Sequence, residues 1–136
     1  MKLMEKINSV EELIRKKELF SIVGNNLSFF SFLISSIFKF SNSNFLVILP
    51  DEKEATIFYS DILNFIDEKE VIFFPEYEKV EDEISEVNIE RVKSIIEIIE
   101  NKKSLIITYF PAILNKIPPF SNFKKIEVEK GENIRR

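Results

Sequence analysis

Apolar residues along the chain fall into two patterns, short unbroken runs and stripes at helical spacing. Phe45-Leu46-Val47-Ile48-Leu49 is an apolar run without alternation, which suits a strand covered on both faces. Pro50 and Asp51 stop it, because Pro lacks an amide donor and Asp can cap a helix that follows. From Glu52 to Ile66, the residues Ala55, Phe58, Tyr59, Ile62, Phe65 and Ile66 recur at three- and four-residue steps, the apolar stripe of a helix. Val71-Ile72-Phe73-Phe74 is a second apolar run, closed by Pro75. Strand, helix, strand with short links is a crossover unit, and such units make parallel sheets.

The flanking segments extend this pattern. Ser9-Val10-Glu11-Glu12 has the Ser-x-x-Glu form of a capping box, so a first helix is predicted from Val10 to about Lys17. Leu19 to Val23 reads as a strand, with Phe20 to Val23 at its centre, ending at Gly24. Asn25 or Asn26 suits a turn and caps a helix running to about Phe40. After Pro75 comes an acidic connection through Glu83, then a helix from about Ser85 to Asn101. Its predicted inner side is Val87 or Asn88, Val92, Ile95, Ile96 and Ile99. Ser104 to Tyr109 is another apolar strand, with Leu105 to Tyr109 at its centre. Phe110 to Lys116 supplies about two helical turns, ended by Pro118-Pro119. Lys125 to Glu129 alternates Ile126 and Val128 with charges, as a half-exposed strand does. The chain stops at Arg135-Arg136 without completing an element, as expected of a piece of something longer. The predicted class is α/β, a three-layer α/β/α arrangement with a mainly parallel sheet. Residues 1–120 form the domain, and residues 121–136 form a strand and the entrance to a following domain.

Composition narrows the chemistry. At 136 residues the chain can build one domain with a real core. It has no Cys, which removes disulfides and thiolate metal sites, and no His, which removes the commonest general base. No Ser-His-Asp or Cys-His arrangement is therefore possible. The net charge of −4 with scattered basic residues is a poor footprint for duplex DNA. Leu19 to Phe38 carries no charge and approaches the length of a membrane span. Gly24-Asn25-Asn26 interrupts it, however, and Ser28, Ser31, Ser35 and Ser36 dilute it. A buried helix in a cytoplasmic protein without a membrane role is the reading that follows. Glu11 and Glu12 ahead of the run argue against a signal peptide.

The order strand, Gly loop, helix at Leu19 to Phe40 is where a phosphate-binding loop would sit. The working motif is G-x-x-x-x-G-K-[ST], in which glycines let backbone amides approach phosphate and Lys pairs with the outer phosphates. Here the eight residues are Gly24-Asn25-Asn26-Leu27-Ser28-Phe29-Phe30-Ser31. Gly24 and Ser31 are in register, but Phe29 replaces the second Gly and Phe30 replaces the Lys. No carboxylate follows Leu105 to Thr108 to hold Mg²⁺, since Tyr109 and Phe110 stand there. The expectation is therefore no catalytic residue, no bound nucleotide and no metal. Seven acidic residues lie between Glu76 and Glu90, yet without ligand spacing they read as a solvated face.

The ordered set Phe45-Leu46-Val47-Ile48-Leu49-Pro50-Asp51-Glu52-Lys53-Glu54-Ala55, Phe73-Phe74-Pro75-Glu76-Tyr77-Glu78, Asn88-Ile89-Glu90-Arg91-Val92, Leu105-Ile106-Ile107-Thr108 and Leu114-Asn115-Lys116-Ile117-Pro118-Pro119 resembles the N-terminal part of the bacterial transcription-repair coupling factor. That region is itself similar to domain 1A of the excision-repair helicase UvrB. The resemblance covers about Ser21 to Gly131. It implies a RecA-like helicase domain with a degenerate nucleotide loop, in which ATP and Mg²⁺ belong to other domains of the parent translocase. UvrB carries a tyrosine-rich DNA-gripping hairpin where this chain has a short acidic connection with Tyr77. The implied role is scaffolding between removal of stalled RNA polymerase and repair. UvrA would be met through the following domain, DNA and RNA polymerase through the parent protein, and other domains of the same chain directly. Two alternatives stay open on the residues: the first motor domain of an active UvrB-like helicase, and a free-standing α/β interaction module.

Overall fold

A computed structural model describes residues 2–16, 19, 21–24, 26–79, 86–100 and 103–117. Three parallel strands, β1 (Phe45–Leu49), β2 (Val71–Phe74) and β3 (Leu105–Tyr109), form one sheet in the order β1-β3-β2. Phe45 pairs with Leu105 and Leu49 with Tyr109 on one side of β3, while Val71 to Phe74 pair with Leu105 to Thr108 on the other. The last strand therefore lies between the first two. Asn44 fixes the start of the register: its side chain accepts from the Ser104 amide at 2.9 Å, and the Phe45 amide donates to the Ser104 carbonyl at 3.0 Å.

The helices cover the two faces unequally. α1 spans Lys2–Arg15, α2 Leu27–Phe40, α3 Glu52–Ile62, α4 Glu86–Glu100 and α5 Phe110–Leu114. On one face, α2 and α3 pack together and α3 lies on β1 and β3. Phe38, Phe58, Ile62, Leu105 and Ile107 are buried there in a shared cluster. Asp51 caps α3 as its side chain accepts from the Glu54 amide at 2.8 Å, and Asn26 caps α2 by accepting from the Phe29 amide at 3.1 Å. On the other face α4 lies on β2. Among the described residues, no helix is long and apolar enough to cross a membrane.

Five expectations change. The first helix starts at Lys2, not at Val10, so Ser9 lies inside it. A Ser in a helix interior costs only a few tenths of a kcal/mol, and Val10 and Ile14 anchor the helix by packing on Leu33 and Ile37 of α2. Ser21 to Val23 is irregular and exposed instead of a strand. Only Ile22 of that run lies in the apolar groove beside Phe45, Leu46 and Val47, and that groove is walled by α1 and α2 side chains. Side-chain packing has taken the place of a ladder. β1 is not covered on both faces: Leu46 and Ile48 are 59% and 48% exposed. α4 turns Arg91, Ser94 and Ile95 inward and leaves Val92, Ile96 and Ile99 exposed, because polar groups on this face find backbone partners. α3 is shorter than its stripe, ending at Ile62, although Ile66 is still buried beyond it. The expected strand at Lys125 to Glu129, the turn at Lys130-Gly131 and the 121–136 segment lie outside the described residues, as do Phe20, Asn25 and residues 80–85 of the acidic connection and helix start.

Removing the Phe38 ring leaves a cavity in the shared cluster, so Phe38→Ala should lower stability by about 3–5 kcal/mol. Leu46→Ala, on the open face, should change it by less than about 1 kcal/mol. Urea unfolding of both variants checks the contrast; equal losses would show that Leu46 is covered.

Candidate functional site at the nucleotide loop and strand ends

The loop that carries the candidate residues is closed by its own side chains. A Cβ on Gly24 would lie 3.3 Å from Cζ of Phe30, so the Phe30 ring sits against the glycine. Phe29, 40% exposed, meets Phe30 edge-to-face with centroids 5.9 Å apart. Ser31 is fully buried and its Oγ donates to the Ser28 carbonyl at 2.9 Å, inside its own helix. The Phe29 amide, one of the donors that a phosphate would use at a helix start, is engaged by Asn26. The structure thus brings Gly24, Phe29 and Phe30 together and turns the Ser31 hydroxyl back into α2.

The position of the loop also differs from the motif's expectation. Ser28 Oγ donates to Asp61 at 2.8 Å and Phe32 packs on Phe65 with centroids 5.7 Å apart. Asp61 lies in the last turn of α3 and Phe65 in the turn just beyond it, from which the chain leads into β2. α2 therefore begins near the edge of the sheet where the strands start. Ligands of open α/β sheets bind at the other edge, beyond the carboxyl ends of the strands. Among the described residues, no ladder holds Ser21 to Val23 along the sheet before Gly24.

The carboxyl edge is occupied by a structural cation. Arg91 on α4 is 5% exposed and donates to the carbonyls of Pro75, Ala112 (3.2 Å) and Asn115 (3.4 Å). Its guanidinium carbon lies 4.1 Å from the centre of the Phe74 ring. Desolvation pushes its pKa below the usual arginine value, opposed by Tyr109 and Glu76, and an arginine so lowered still carries its proton. One fork thus ties the segments leaving β2 and β3 to α4. Asn88, one turn earlier, accepts from the Glu78 amide at 2.9 Å and donates to the Glu78 carbonyl at 2.7 Å. Tyr109, at the strand end, accepts from the Glu76 amide at 3.0 Å, and burial raises its pKa. Glu52, Glu76, Glu78 and Lys79 surround the mouth beside it. Among the described residues no acidic group is arranged to hold a metal ion.

The helical stripe concealed Arg91 and Ser94, because a period count scores them as solvent-facing. The signal was available in Asn88-Ile89-Glu90-Arg91-Val92, a stretch that carries both residues pinning the Pro75 segment.

With that geometry in view, comparison with known proteins gives a consistent direction. The chain is similar to part of the transcription-repair coupling factor. It is 29% identical over 99 residues to the coupling factor of Rickettsia bellii (strain RML369-C), covering 69% of this chain and 9% of that protein. The coupling factors of Rickettsia typhi (strain ATCC VR-144 / Wilmington) and Rickettsia prowazekii (strain Madrid E) are each 28% identical over the same length, again with 69% and 9% coverage. The chain therefore spans about 9% of the length of the curated coupling factors it matches. No family model and no solved structure matches it.

Arg91→Ala leaves buried carbonyls without donors and should lower stability by about 3 kcal/mol; Arg91→Lys, which cannot reach several carbonyls with one ammonium, should recover only part of that loss in urea titrations. Equal stability of Arg91→Ala and the parent chain would remove the clamp. A second expectation concerns alkali. Burial raises the pKa of Tyr59 and Tyr109 in the folded state. Below the unfolded value, about 10, both states are protonated and nothing is lost. Above it the unfolded chain releases its protons first, so stability should fall as pH rises past about 10. The decline should be shallower in Tyr59→Phe, and a melting temperature flat to pH 11 would contradict it.

Proposed function

We propose that this chain is a non-catalytic scaffolding module of a coupling-factor-type DNA translocase, a UvrB domain 1A-like unit with a degenerate nucleotide loop. The observation that supports it most is the Phe30 ring against Gly24, in the space where a phosphate would approach the backbone. Similarity to part of the transcription-repair coupling factor supplies the context. In this reading ATP and Mg²⁺ act in other domains of the parent protein. The module holds the segment that follows residue 131 in place for UvrA and contributes no complete UvrA surface of its own. RNA polymerase and DNA are engaged elsewhere in the parent, in the cytoplasm. Duplex DNA is repelled by the acidic segment that Glu76 and Glu78 begin, because phosphate contacts supply most non-specific affinity.

Two measurements test it. Calorimetric titration with ATP and Mg²⁺ should give no heat of binding; micromolar, Mg²⁺-dependent affinity sinks the non-catalytic reading in favour of an active motor domain. Purified UvrA should retain a chain extended through the following domain at least tenfold better than residues 1–136. Equal retention places the contact surface in this module instead.

A further inference from the structure

We draw no further inference here: the strongest candidate, the apolar surface made by Leu46 and Ile48 on the open face of β1 and by Val92, Ile96 and Ile99 on the flank of α4, is an unpartnered face, and nothing in the structure shows what covers it.

Discussion

Everything in the sheet depends on β3. Neither β1 nor β2 pairs with the other; each pairs along its whole length with Leu105 to Tyr109. The two strands that come first along the chain therefore have no ladder until the third arrives, 31 residues after Phe74 in sequence (105 − 74). Closing such a loop costs entropy before any contact rewards it. The chain offsets this with apolar strand sequences and with side chains on β3 and α4 that tie down β2. Thr108 Oγ1 donates to the Phe74 carbonyl at 2.9 Å within the buried sheet, and Ser94 Oγ donates to the Phe73 carbonyl at 2.7 Å.

The carboxyl edge of a parallel sheet leaves carbonyls and loop ends for a ligand to use in most α/β proteins. Here they are consumed internally. Arg91 draws together segments that follow two different strands, and Tyr109 fixes the amide of Glu76. A buried cation facing carbonyls, with no carboxylate hydrogen-bonded to it among the described residues, is held by dipoles and by the face of Phe74. This arrangement orders the edge from inside. The depressed Arg91 pKa and the raised Tyr109 pKa share one cause, exclusion of water from the clamp.

What the sequence made legible, and what it hid, divides along physical lines. The strands Phe45–Leu49, Val71–Phe74 and Leu105–Tyr109 were readable because unbroken apolar runs bounded by Pro or polar loops have few other uses. The caps at Asn26 and Asp51 were readable for the same local reason. The run at Phe20 to Val23 is also mostly apolar, broken only by Ser21, yet a strand needs an edge to join, and that edge of β1 faces a groove walled by α1 and α2. No local pattern reports that. α4 was misread because Val92, Ile96 and Ile99 outscore Arg91 and Ser94 on hydrophobicity, while the fold selects the residues whose donors reach Pro75 and Phe73. At the loop, the substitution of Phe29 and Phe30 was visible in the letters. The packing of Phe30 on Gly24 and the displacement of α2 to the opposite edge required coordinates.

These features share one consequence for how the molecule presents itself. Side chains that in a nucleotide-binding domain would face a ligand are here turned inward: Ser31 to its own helix, Phe30 to Gly24, Tyr109 to Glu76. Apolar side chains that would normally be buried are turned outward instead, on β1 and on the flank of α4. The apolar side chains left exposed on β1 and on the flank of α4 are the part of the described surface that would gain most from being covered.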